Sequence, residues 1–131
     1  MHERRIDIRW RDLDALGHVN QAVYQTYGEE ILDSFFRQAL DLGEGEIWDY
    51  VAARVAIDYR GELRLNDGQV VGTCRVDRVG TSSVTLKIEM RTPGGRLAAE
   101  CEIVVVTWDP EARASRPLTD AERVALSPAH G

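Results

Sequence analysis

Apolar and polar residues alternate at the start of the chain, and the alternation then gives way to a three-to-four repeat. Residues 4–10 read as a strand with Ile6 and Ile8 on one side. Polar and small residues crowd Asp12 to Val19, which predicts a loop. Asn20 suits a helix N-cap, because its side chain can accept from the first-turn N–H groups. Over 21–42, Tyr24, Tyr27, Ile31, Phe35, Ala39 and Leu42 form one stripe, widened by Leu32, Phe36 and Leu40. This predicts a helix of about six turns, apolar over much of its girth and ended by Gly43.

The remainder reads as strands. In 51–59, Val51, Ala53, Val55, Ile57 and Tyr59 share a face opposite Arg54, Asp58 and Arg60. Asn66-Asp67-Gly68 signals a tight turn into 70–79. Gly80-Thr81 turns into 83–91, where Val84, Leu86, Ile88 and Met90 alternate with Thr85, Lys87 and Glu89. Pro93-Gly94-Gly95 turns into 97–108, apolar on both faces near 103–106, as expected of a central strand. Pro110 ends it, and Thr119-Asp120-Ala121-Glu122 resembles a capping box opening a short helix. The expectation is an α+β fold: an antiparallel sheet of about five strands around one long helix. One sheet covers one side of that helix, so the bare side and the free sheet edge call for a second subunit.

The chain has 131 residues, 44% of them hydrophobic, which fits one globular domain over 1–131. No apolar run approaches the roughly 20 residues of a membrane span. The N-terminus leads straight into a strand pattern without a signal-peptide core, so a cytoplasmic protein is expected. A net charge of −6 repels nucleic-acid phosphate. Cys74 and Cys101 sit in apolar strand patterns and read as buried thiols. Neither metal-ligand spacing nor a glycine-rich cofactor loop is present.

Candidate chemistry concentrates in Asp12-Leu13-Asp14-Ala15-Leu16-Gly17-His18-Val19-Asn20. Asp14 precedes a helix N-terminus, whose dipole favours an anion and whose free N–H groups suit an oxyanion. The bland reading is a turn-capping aspartate. His18 can orient a water or donate to a carbonyl, or can simply fix the loop. Glu62, after a strand and beside Gly61, reads as solvated charge. Arg78, Thr81, Ser82 and Ser83 lie at a turn, where hydroxyls and a guanidinium suit a phosphate or an amide.

That segment, with Ala22-Val23-Tyr24 and Glu29-Glu30, resembles the hotdog-fold thioesterases, including the 4-hydroxybenzoyl-CoA thioesterase-like family. Ile57-Asp58-Tyr59-Arg60, the Asn66-Asp67 turn, Val79-Gly80-Thr81-Ser82-Ser83 and Pro117-Leu118 extend the likeness over nearly the whole chain. The resemblance implies a hotdog fold, a homodimer or dimer of dimers, and active sites at the subunit interface. It puts the catalytic carboxylate on Asp14 and the oxyanion N–H near Gln21. Plant acyl-ACP thioesterases are also similar. Their catalytic aspartate and histidine fall on Asp14 and His18 and a glutamate on Glu62, but their catalytic asparagine falls on Leu16.

The implied reaction is hydrolysis of an acyl-CoA or acyl carrier protein thioester, with no cofactor. Asp14, His18 and Glu62 are the candidate catalytic residues. Gly17, Asn20, Gln21, Tyr24, Tyr59, Arg78 and Ser82 are the candidate substrate contacts, with the nucleotide near Arg78. A non-catalytic acyl- or CoA-binding hotdog module is the alternative.

Overall fold

The computed structural model describes residues 2–128. Strand β1 (His2–Asp7) is followed by a 3-10 turn at Trp10–Asp12 and by helix α1 (Gln21–Ala39). Then come β2 (Tyr50–Tyr59), β3 (Gln69–Val79), β4 (Ser83–Arg91), β5 (Leu97–Asp109), the two-residue β6 (Ala114–Ser115) and helix α2 (Asp120–Ala125). The sheet is antiparallel in the order β1-β3-β4-β5-β2, with β6 added to β5. The expected sheet around one helix is present, and β5 is internal, between β4 and β2. Among the described residues no helix is long and apolar enough to cross a membrane.

Helix α1 buries Tyr24, Tyr27, Ile31, Leu32, Phe35 and Phe36 against Val70, Cys74, Leu86, Ile88, Met90 and Val105 of the sheet. Contact with β3 is very close at Gly72. A Cβ there would lie 2.2 Å from Ile31 Cδ1, so any side chain larger than glycine would have to displace Ile31. Cys74 and Cys101 are free and buried. Burial pushes the Cys74 thiol up to about 12. Burial and then Asp58 push the Cys101 thiol up to about 11.

Three expectations need correction. The first strand ends at Asp7, because the chain turns into the 3-10 element that Asp12 closes by accepting from Arg9 N–H. Helix α1 ends three residues early. Asp41 takes a left-handed conformation (φ 52°), and Leu42 N–H reaches back to Arg37 O at 2.9 Å. That is a Schellman closure, with aspartate where glycine was expected. In β2 the register against β5 shifts between Ala52 and Arg54. This bulge reverses the alternation. Tyr50 and Ala52, not Val51 and Ala53, line the helix side with Val55 and Ile57.

The capping box of α2 is formed: Glu122 N–H donates to Thr119 Oγ1 at 3.1 Å, and Thr119 N–H to Glu122 Oε1 at 2.8 Å. Glu122 also accepts from Trp48 Nε1 at 2.6 Å and pairs with Arg116 at 2.7 Å. The Arg116 bond, helped by Thr119 and Trp48 against the effect of burial, holds this carboxyl down to about 2. One side chain thus ties α2 to the aromatic cluster of Trp48, Phe36 and Tyr50.

Candidate active site

The loop between β1 and α1 is built on a buried carboxylate. Asp12 is 2% exposed. It accepts from Arg9 N–H at 3.0 Å, Arg9 Nη2 at 3.1 Å and the Tyr27 hydroxyl at 2.7 Å. Burial opposes its charge, but the Arg9 N–H, Tyr27 and Arg9 guanidinium bonds together outweigh it and hold the carboxyl below its usual range. Burial, then Asp12, pushes the Tyr27 hydroxyl upward. The Asp12 carbonyl also accepts from Asn20 N–H at 2.9 Å, joining the start of the loop to the start of the helix.

Between those anchors the chain makes a tight turn. Leu13 and Val19 form an isolated antiparallel bridge. Asp14 N–H donates to His18 O at 2.9 Å and Gly17 N–H to Asp14 O at 3.1 Å. Gly17 has φ +83°, which a side chain would strain. Val19 N–H donates to Leu63 O at 2.8 Å, pinning the turn to the segment after β2.

Asp14 is held at both oxygens. Oδ1 accepts from Leu16 N–H at 2.9 Å, and Oδ2 lies 3.4 Å from His18 Nδ1. Both side chains are partly solvent-accessible, 24% for Asp14 and 31% for His18. The helix start is capped as expected. Asn20 Oδ1 accepts from Ala22 N–H at 2.9 Å, and its carbonyl accepts from Val23 N–H at 2.9 Å. The intervening Gln21 N–H has no partner among the described residues. An unpaired amide at a helix N-terminus is a donor for a developing anion.

These groups line one cleft of about 560 Å³, with Asp14, His18, Asn20 and Gln21 on one side and Tyr59, Arg60, Gly61 and Glu62 on the other. Tyr24 forms part of the wall. The Tyr59 hydroxyl donates to Gln21 O at 3.0 Å, and its ring meets that of Tyr24 edge-on at 5.1 Å. Glu62 lines the cleft half-exposed, with its carboxylate 2.9 Å from Arg64 Nε. Tyr24 also opens a second groove, about 380 Å³, between α1 and β2. Leu32, Val55, Ile57 and Ile103 make it apolar, and Glu29 and Asp33 lie at its helix side.

Most of the expected residues are thus brought together: Asp14, His18, Glu62, Asn20, Gln21, Tyr24 and Tyr59 share the cleft. Gly17 shapes the turn and is not on the wall. Arg78 and Ser82 are elsewhere. The β3–β4 turn sits beside Val106, whereas the cleft end of the sheet is at Ala99. Seven residue steps separate them, roughly 23 Å along the strands, so one chain does not bring Arg78 to Asp14. The sequence reading missed the Asp12–Tyr27 lock. The available signal was a tyrosine on the buried stripe of α1, whose hydroxyl requires a buried partner. It also missed Arg96, whose Nη2 donates to Glu62 O at 2.7 Å and steadies the far wall. Among the described residues no cluster of three or more His, Cys, Asp or Glu could hold a metal ion.

The sequence profile of the thioesterase-like superfamily matches residues 8–128. The structure superposes on a thioesterase from Thermus thermophilus, complexed with coenzyme A and zinc, at a TM-score of 0.84; identity is 33%, over 98% of this chain and 94% of that one. A predicted thioesterase from Bacillus stearothermophilus gives 0.83 at 25% identity, over 95% and 92% of the two chains. A 1,4-dihydroxy-2-naphthoyl-CoA thioesterase from Synechocystis gives 0.80 at 15% identity, over 95% and 93%, a likeness of fold. No curated protein sequence matches the chain.

Proposed function

The chain belongs to the thioesterase-like superfamily and has its hotdog fold, and from that premise we propose that it hydrolyses an acyl-CoA thioester to a free acid and coenzyme A. One observation carries the assignment: a single cleft holds the Asp14 carboxylate and, at the start of α1, an amide without a partner. The thioester carbonyl lies between them, its oxygen toward the Gln21 N–H. Asp14 either attacks the carbonyl carbon, giving a mixed anhydride that water then opens, or takes a proton from the attacking water. In both routes the carbonyl oxygen becomes anionic, and the helix N-terminus stabilises it. The thiolate leaves without a strong general acid. His18 orients Asp14 or the water, and Tyr59 holds the helix start through Gln21 O. The acyl chain runs past Tyr24 into the apolar groove under α1. The Thermus thermophilus thioesterase binds coenzyme A, which supports the choice of carrier.

The protein acts as a homodimer or dimer of dimers in this reading. The unpaired edge of β2 and the half-covered groove beside it support that. The test is release of free thiol from a panel of acyl-CoA and acyl carrier protein thioesters. Turnover of an acyl-CoA that Asp14→Asn abolishes is expected. Tight binding without thiol release would instead establish a binding module, and faster turnover of carrier-protein thioesters would overturn the choice of coenzyme A. A single turnover in 18O-water that leaves label on the Asp14 carboxylate establishes the nucleophilic route, because a general base keeps both of its own oxygens.

A further inference from the structure

The buried stripe of α1 has a gap. Tyr24, Tyr27, Ile31, Leu32, Phe35 and Phe36 fill it with large side chains, but Gly28, buried among them, has none. Glycine inside a helix weakens it relative to alanine. A left-handed backbone or a close contact would explain that choice. Gly28 has neither. It lies within α1 and is not among the residues of positive φ. A Cβ there would meet only Met90 Cε at 3.6 Å and Ile103 Cδ1 at 3.7 Å, which is ordinary van der Waals contact. The contrast is with Gly72, where Ile31 fills the space. The core around Gly28 has room for a methyl group that the sequence does not supply.

Where the gap lies gives it a use. Gly28 is on the wall of the groove between α1 and β2. Tyr24, Gly28 and Leu32 follow one another at four-residue steps, so they stack along one side of the helix roughly 6 Å apart. All three are buried and form the floor. Gln25, Glu29 and Asp33, one position on from each, are exposed and form a polar rim. Tyr24 also lines the cleft that holds Asp14. A chain entering from that cleft therefore passes Tyr24, then Gly28, then Leu32.

We propose that Gly28 is the specificity-determining residue of this groove: its missing side chain lets a linear hydrocarbon acyl chain of about nine carbons or more run past the middle of α1 toward Leu32. A side chain at position 28 would stand in that path and confine the site to shorter acyl groups. The apolar floor suits a hydrocarbon tail, and the polar rim keeps that tail on the floor.

The length follows from the helix. The thioester carbonyl sits at the Gln21 N–H, and Gly28 is seven residues further along, about 10 Å on the helix axis. An extended hydrocarbon advances about 1.25 Å per carbon at ordinary bond lengths and angles. A butyryl chain thus extends only about 4 Å from its carbonyl and stops beside Tyr24, whereas a dodecanoyl chain extends about 14 Å and crosses Gly28. Substitution at position 28 acts on the second chain and leaves the path of the first open.

The assignment rests on the thioesterase reading above for where the chain enters, and its test separates the two. Thiol release from dodecanoyl-CoA and butyryl-CoA is measured on the full chain. Gly28→Ala is expected to lower the dodecanoyl-to-butyryl ratio of kcat/KM by about ten- to a hundredfold, since one methylene group in an apolar pocket changes selectivity on that order. The same variant is expected to raise the urea midpoint, because the helix gains an alanine. Gly28→Leu fills the gap and should lower the ratio further; where it fails to fold, the alanine variant decides. An unchanged ratio in Gly28→Ala overturns the assignment. So does a lowered urea midpoint, which would make Gly28 a packing residue. Calorimetry in the Asp14→Asn background gives the comparison without turnover: a Kd for dodecanoyl-CoA raised about tenfold by Gly28→Ala supports the assignment, and an unchanged Kd overturns it. Thiol release from neither ester in the wild type overturns the hydrolytic reading alone.

Discussion

Removing the charge at Asp12 tests whether the loop is held from beneath. Asp12→Asn preserves shape, but its NH2 group must face at least one of the three donors that the carboxylate accepts: Arg9 N–H, Arg9 Nη2 and the Tyr27 hydroxyl. A hydrogen bond to a charged group contributes about 1.5–3 kcal/mol, and a buried donor left unpaired costs about 1–3 kcal/mol. The Arg9 side chain is half-exposed, so its ion pair adds little beyond its hydrogen bond. Asp12→Asn is therefore expected to cost about 3–4 kcal/mol, a large share of the 5–15 kcal/mol typical of a domain. Tyr27→Phe keeps the packed ring and leaves Asp12 two donors. It should cost about 1.5–3 kcal/mol.

The two variants remove the same bond, so they should not add. Urea denaturation of wild type, both singles and the double gives the cycle, with an expected coupling of at least about 1 kcal/mol. Activity supplies the second readout. The Asp12 side chain and carbonyl fix both ends of the turn that carries Asp14, so its loosening should lower kcat roughly ten- to a hundredfold in still-folded Asp12→Asn. Additive losses within 0.5 kcal/mol, together with unchanged kcat, would refute the lock.

The remaining expectations follow from the cleft, the close contact at Gly72 and the α2 clasp. Purified, folded Asp14→Ala should lose thioester hydrolysis altogether; near-normal kcat would overturn the mechanism. His18→Ala and Glu62→Gln should each lower kcat/KM by about ten- to a thousandfold if both groups act, and wild-type kinetics in Glu62→Gln would confine that side chain to its Arg64 pair. Gly72→Ala forces a methyl group onto Ile31 and should cost about 1–3 kcal/mol, with partial recovery in Gly72→Ala/Ile31→Val measured by urea midpoint. Glu122, folded near 2 against an ordinary 4.5, contributes about 3 kcal/mol that is complete above pH 4.5 and lost as pH falls toward 2; Glu122→Gln should flatten that limb of an acid titration followed by Trp fluorescence.

Elements whose cause is local could be read from the sequence. The Asn20 cap, the stripe of α1, the alternation of β4 and the capping box of α2 each depend on residues within a few positions, and each is present. Errors arose where a neighbour in space decides. The β2 bulge cannot be seen in Val51-Ala52-Ala53-Arg54, because small and apolar residues suit either face and the register is set by β5. In sequence Gly43 marks the helix end because glycine is the usual left-handed residue, yet Asp41 adopts that conformation, with Leu42 N–H bound to Arg37 O.

The cleft divides along the same line. Asp14, His18, Asn20 and Gln21 lie within eight residues, so the order of loop, cap and helix already placed a carboxylate beside free amides. Tyr59 and Glu62 arrive only because β2 ends against the start of α1, with Val19 N–H bound to Leu63 O. In sequence Arg78 is an equal candidate for a phosphate contact, since a turn arginine beside hydroxyls looks the same whichever end of the sheet it occupies. Antiparallel geometry decides the matter: successive turns fall at alternate ends, and the β3–β4 turn falls at the end away from Asp14. The arginines at the cleft are instead Arg60 on its wall, Arg64 paired to Glu62 and Arg96 bound to the Glu62 carbonyl. For the carrier proposed above, Arg60, Arg64 and Arg96 are therefore the arginines this chain sets at the cleft, in place of Arg78.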